Sequence, residues 1–275
     1  MLTVAHETMN LALKLRGACR AARILSGGRP DFSGGLVLAY HDVGSDPSIA
    51  TDYYVSPALL LRHLEMAKSA DLKFVRLDEL TDRLVQGLSV DAMVSVVFDD
   101  ALAGVHHHAL PILAERGIPA TVFVVTQCLG DTPPWWDGAG RTMTPSELAE
   151  CAEGGMSVAA HSRHHPSLPS LSAGQCWDEV SGSKRELEEI SDRAISLFAY
   201  PLGHHDARVR SIVERAGFQA AYTFLNGRVQ PGLDLMRLPR LTMSSRQRPL
   251  RFAYQLARPP ASWSDHQRDD VGADI

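Results

Sequence analysis

Val94-Ser-Val-Val-Phe98, five residues without a charge or a glycine, stops at two adjacent carboxylates, Asp99 and Asp100. The run reads as a buried strand that delivers an acid pair to its C-terminal end. Two neighbouring carboxylates under cover of protein cannot both ionise freely unless a cation or a shared proton joins them. A second apolar run, Met156-Ser-Val-Ala-Ala160, stops at His161, and His165 follows four residues later with Pro166 behind it. Two imidazoles at that spacing reach one point from a helix or a tight turn, and imidazole with carboxylate suits a divalent metal. One carboxylate and two imidazoles fill one face of the ion and leave positions for water and substrate, as a catalytic site requires. Taken alone, the acid pair reads equally well as a cap for the helix that opens near Ala103. The histidines at a second strand end favour the metal.

Other groups collect at strand ends. Leu36 to Val43 is apolar until Tyr40 and His41, and Ser196 to Tyr200 runs into a turn through Pro201 and Gly203, followed by His204, His205 and Asp206. His106, His107 and His108 are consecutive on a helix, so they point in different directions and at most one would face the site. They are expected to cover the helix surface. His63, on a helix capped by Ser56 and opened by Pro57, is expected to be solvated or half-buried. Trp135 and Trp136, in a loop with Pro133 and Pro134, offer aromatic faces to a sugar ring or anchor the loop.

The elements that must position these groups alternate strand and helix along the chain. Seven or so such units imply a parallel sheet, and in one α/β domain they favour a (β/α) barrel of about seven strands, distorted from the regular form. A barrel places its site at the carboxyl ends of its strands, where His41, Asp99, Asp100, His161 and the turn after Tyr200 all fall. The 275 residues are 45% hydrophobic, enough for one full core. A net charge of -5 gives no bulk attraction to nucleic acid or to an anionic membrane. Cys19, Cys128, Cys151 and Cys176 show no paired spacing and read as reduced, packed thiols. Residues 1–30 are expected to form an amphipathic helix and a linker, 31–257 the barrel, and 258–275 a flexible tail. Charges interrupt the first helix too often for a signal peptide or a membrane span. The expected location is therefore the cytoplasm, with the basic face of that helix available for weak contact with the inner membrane surface.

These motifs resemble those of the polysaccharide deacetylases, carbohydrate esterase family 4, over Leu36 to Thr242. Phe98-Asp99-Asp100 is similar to the family's acid-pair motif, His161-Ser162 with His165-Pro166 and Leu168 to its histidine motif, and Phe198-Ala-Tyr-Pro201 with Gly203 to its third motif. The resemblance implies a metal-dependent N-deacetylase of amino sugars, with Asp100, His161 and His165 as metal ligands and Asp99 as general base. Zinc is the default metal; cobalt, nickel and manganese suit the same ligands. Tyr200, Pro201, Gly203, Trp135 and Arg240 are the expected substrate contacts. Two departures stand out. Ala101 occupies the place of a glycine, and no late histidine matches the family's usual general acid. The Tyr40-His41 strand resembles the poly-N-acetylglucosamine deacetylase branch, which implies His41 in that role, with His204 and His205 as alternatives. Two competing readings are a carbohydrate-binding barrel that has lost its activity and a metal amidohydrolase of a small non-sugar amide.

Overall fold

The structure is a computed structural model that describes residues 33–46, 49 and 51–257. The expected first helix, Cys19 and the tail lie outside the described residues. The strands in chain order are β1 (Leu36–Tyr40), β2 (Asp42–Val43), β3 (Tyr54–Val55), β4 (Lys73–Phe74), β5 (Met93–Phe98), β6 (Ala120–Val124), β7 (Met156–Ala160), β8 (Leu197–Ala199), β9 (Ala220–Asn226) and β10 (Leu238–Thr242).

Parallel pairing runs from β5 through β10 to β1, and β1 pairs back onto β5, so seven strands close a barrel. Closure leaves no free edge among them. The short β4 pairs with Met93 and Val94, and β6 takes up β5 from Val96 onward. Register fixes the mouth. Tyr40 lies opposite Phe98, and Val124 opposite Ala160. The residues that follow, His41, Asp99 and His161, therefore emerge together at one end.

The strands read as unbroken apolar runs because both faces are covered. Side chains alternate. Leu36, Leu38, Tyr40, Val96, Phe98, Val122 and Phe198 pack outward in the larger core under the helices. Val37, Ala39, Val97, Phe123, Ala159 and Tyr222 fill the interior. The parity carries past the strand ends: His41, Asp99 and His161 continue the inward series, whereas Tyr200 continues the outward series of Phe198.

Helix starts follow local chemistry. Ser56 Oγ accepts the Leu59 N–H at 3.2 Å before Pro57–Ser69. Thr144 with Glu147, and Ser172 with Gln175, form reciprocal caps for Pro145–Glu153 and Ala173–Ser191. The helix Leu77–Val85 opens without a side-chain cap, and Asp78 stands inside its first turn. Asp78 instead binds Arg76 on its surface.

His63 corrects its sequence reading. It is wholly buried, with Nδ1 3.1 Å from the Tyr40 hydroxyl and Nε2 2.6 Å from the Gln247 carbonyl. Its ring lies 4.5 Å from that of Phe252 in the helix Pro249–Ala257, which sequence reading had not anticipated. Neither partner is near in sequence. Among the described residues no helix is long and apolar enough to cross a membrane, and Cys128, Cys151 and Cys176 are free and buried.

Candidate active site

Asp100, His161 and His165 present one ligand atom each within a span of 4.8 Å. Asp100 Oδ1 lies 3.5 Å from His161 Nε2 and 3.4 Å from His165 Nε2. A tetrahedral ion with bonds of about 2.0–2.1 Å would have ligand edges of about 3.3 Å, close to these separations. The His161 Nδ1–H donates to the Ala199 carbonyl at 2.8 Å, so Nε2 carries the lone pair. Asp100 Oδ1 is buried with no hydrogen-bond donor. The Asp100 oxygen and the two Nε2 atoms thus converge on one point, and a divalent metal fits that point.

The electrostatics agree. Burial, and after it the charge of Asp99, pushes the Asp100 carboxyl up to about 8. Burial also lowers His165 to about 2 and lowers His161. Without a cation the set keeps a proton on the carboxyl and leaves both imidazoles neutral, the form in which imidazole ligates a metal.

The backbone that carries these groups is strained. Asp100, Ala101, Ser162 and His165 all have positive φ, at 68°, 54°, 66° and 59°. Ala101 thus makes its left-handed turn with a side chain present. The two histidines come from a turn, not a helix. Glu179 Oε2 fastens that turn by accepting the N–H groups of Arg163 and His164, both at 2.9 Å, and Ser162 Oγ accepts the His165 N–H at 3.0 Å.

Asp99 is set differently from its neighbour. Burial alone would raise its carboxyl, but the Arg240 guanidinium, with His161 and His41, outweighs that and holds it at about 2. Arg240 Nη1 donates to Oδ1 at 2.7 Å, and its Nε donates to the Thr223 carbonyl at 3.0 Å. Oδ2 of Asp99 is left without a hydrogen-bond donor. One acid is therefore kept ionised and clamped while the other faces the two imidazoles.

A cleft of about 500 Å³ opens above, lined by His41, Tyr53, Asp100, Trp135, Trp136, His165, Gly203 and Phe224 among others. Trp135 stacks on the His165 ring at 4.5 Å. His41 sits among the rings of Tyr53, Trp136 and Phe224 at 4.8, 5.5 and 5.8 Å. Burial lowers it to about 4, and its Nδ1 has no hydrogen-bond partner. His204 and His205 also line the cleft. His204 Nδ1 is 3.0 Å from Ser167 Oγ, and His205 Nδ1 is 2.9 Å from the Gly203 carbonyl.

Of the expected substrate contacts, Trp135 and Gly203 line the cleft and three others do not. Tyr200 is wholly buried on the outward face, with its hydroxyl donating to the Met236 carbonyl at 2.9 Å. Pro201 is buried beside it. Arg240 is also wholly buried, committed to Asp99 beneath the cleft. Sequence reading missed that role, although the inward parity of Leu238 and Arg240 on β10 carries the signal. Gly203 is needed where it stands: a Cβ there would meet Phe224 at 2.8 Å. None of His106, His107 and His108 lines the cleft.

Comparison with known proteins agrees with this geometry. Residues 89–221 match the family model described as polysaccharide deacetylase. The chain is 24% identical over 151 residues to YxkH of Bacillus subtilis, covering 55% of this chain and 51% of that protein, so it spans about half of that relative's length. It is 24% identical over 204 residues to the poly-beta-1,6-N-acetyl-D-glucosamine N-deacetylase of Staphylococcus epidermidis, covering 70% of this chain and 69% of that protein. Among solved structures, Streptococcus pyogenes deacetylase PplD superposes with a TM-score of 0.71 at 23% identity, covering 82% of this chain and 99% of that one. IcaB from Ammonifex degensii gives a TM-score of 0.71 at 23% identity, covering 83% and 99%. Both structures share the barrel fold. The acid pair and the two histidines all lie inside the matched segment, so residues 89–221 are similar to the polysaccharide deacetylase family in the part of the chain that builds the site.

Proposed function

We propose that this protein hydrolyses the acetamide group of an N-acetylated amino sugar in an oligomer, polysaccharide or glycoconjugate, using a divalent metal held by Asp100, His161 and His165. The observation that carries the reading is the division of labour in the acid pair: Asp100 Oδ1 faces two imidazole nitrogens, while Asp99 stays ionised with Oδ2 uncommitted. A metal bound there would polarise the acetyl carbonyl and acidify water at the same point. Asp99 would take the proton of the attacking water at Oδ2, the oxygen without a donor, while the Arg240 bond to Oδ1 keeps the carboxylate from swinging away. His41, across the cleft, gives a proton to the departing amine. Its surrounding rings exclude water from that transfer. Trp135 and Trp136 offer flat apolar faces to a pyranose ring.

Zinc is the metal we favour, because two imidazoles and a carboxylate at these separations suit a tetrahedral ion; cobalt, nickel and manganese fit the same donors. The relative from Staphylococcus epidermidis makes β-1,6-linked N-acetylglucosamine oligomers the first substrate to test. The decisive experiment measures acetate released from such oligomers by zinc-loaded and chelator-treated protein. Acetate release that depends on metal supports the reading. Tight binding without acetate release, or turnover of small non-sugar amides alone, would overturn it.

A further inference from the structure

The consecutive histidines after the acid pair form a second cluster, apart from the cleft. Val105–Ala109 is a π-helical turn that leads into the helix Leu110–Glu115. The wider turn brings the rings of His106 and His107 together, with centroids 5.2 Å apart, beside the start of the helix Pro145–Glu153. There His107 Nε2 donates to Glu147 Oε1 at 3.2 Å, a proton that a bound ion would move to the other ring nitrogen, and His106 Nδ1 lies 3.9 Å from the same oxygen. His106 Nε2 lies 2.8 Å from Glu150 Oε2.

A carboxylate only accepts, so Nε2 of His106 must donate its proton to Glu150. In the neutral ring Nδ1 is then a bare lone pair. That nitrogen is buried and has no hydrogen-bond partner, and the nearest charged atom is a carboxylate oxygen. Lone pair facing lone pair is repulsive unless a cation lies between them. Glu147 is already braced for such a role: Arg141 binds both its oxygens at 2.6 and 2.7 Å, and the Thr144 N–H donates to Oε2 at 2.8 Å. The second lone pair of Oε1 remains for the histidine side. A ligating histidine whose other nitrogen is held by a carboxylate, beside a carboxylate ligand that is itself hydrogen-bonded, is the usual build of a protein metal site.

We infer that His106 Nδ1, His107 Nε2 and Glu147 Oε1 form a second site for a borderline divalent transition ion such as Zn2+, with Glu150 orienting His106. Bound there, the ion ties the turn that leaves the acid pair to the helix Pro145–Glu153. This stabilises the wall behind Asp99 and Asp100 without touching substrate.

The test uses the full chain, stripped by chelator and dialysed against Zn2+, with stoichiometry read by elemental analysis and melting temperature recorded with and without the ion. Two equivalents are expected in the parent. His106→Ala should bind one and melt, metal-free, at the parent's temperature. His165→Ala should also bind one, and combining it with His106→Ala should leave none. Glu150→Gln should weaken the outer equivalent on the order of 10-fold, as loss of an outer-shell carboxylate does. If only the catalytic-site reading is wrong, the parent binds one equivalent and His106→Ala removes it. Equal Zn2+ uptake and an equal Zn2+-dependent rise in melting temperature with and without His106 would overturn the inference, because the pair would then be an ordinary imidazolium held between two carboxylates.

Discussion

The Arg240 guanidinium lies 2.7 Å from Asp99 Oδ1, and both side chains are wholly buried. Removing one partner of a buried pair strands the other charge, which costs about 3–5 kcal/mol. Arg240→Gln should therefore lose stability of that order in urea denaturation. It should also raise the Asp99 carboxyl and move the acid limb of the pH-rate profile to higher pH. In the parent, Asp99 is held near 2 against an ordinary 3.8, so the stability it contributes is present above about pH 4 and is lost as pH falls toward 2. An unchanged acid limb in the variant would show that Arg240 does not set the charge of Asp99.

Asp100 behaves in the opposite sense. Its folded-state carboxyl is raised to about 8, so in metal-free protein its contribution is present below about pH 4 and is lost as pH rises through 8. Metal must displace that proton. Zinc affinity should climb about tenfold per pH unit up to about pH 8 and level off above it, because one proton leaves per ion bound. Calorimetry in buffers of different ionisation enthalpy counts the proton directly. A pH-independent affinity between 6 and 8 would contradict the assignment.

Glu179 holds the backbone between the two histidines without touching either ring in the ligand set. Glu179→Gln keeps one acceptor oxygen, whereas Glu179→Ala removes both. Metal affinity at Asp100, His161 and His165 should fall on the order of 10-fold in the alanine variant and recover in large part in the glutamine one. Equal affinity in all three proteins would limit Glu179 to a surface role.

On the proposed roles, Asp99→Asn should keep the metal and lose acetate release on the order of 100-fold or more, since it removes the proposed proton acceptor and leaves the proposed ligands. His41→Gln should also keep the metal, but slow acetate release strongly. A wild-type rate in that variant would transfer the acid role to His204 or His205, which share the cleft.

Ala101 holds φ of 54° with its side chain wholly buried. Ala101→Gly should relieve more strain than it adds in unfolded-chain entropy, a net gain of about 1 kcal/mol measurable by urea titration. A loss instead would mean that the buried methyl group contributes more by packing than it costs by conformation.

Much of the site was legible along the chain because strand ends and side-chain parity are local properties. The apolar runs that stop at His41, Asp99 and His161 announced the mouth of a barrel, and the period of two placed all three on its inner face. Ser56 likewise announced its helix by capping chemistry that spans only three residues. What lay beyond local reach was pairing. Arg240 meets Asp99 across 141 residues of sequence, and it was read as a substrate contact because nothing near it shows that its charge is already neutralised. Tyr200 was read the same way until the outward parity of β8 turned it toward Met236. His63 finds Tyr40 and Gln247 only when the barrel closes and the last described helix packs down. Strand order, closure and the burial of a charge depend on contacts between distant segments; the sequence carries the groups, and the tertiary fold decides which of them meet.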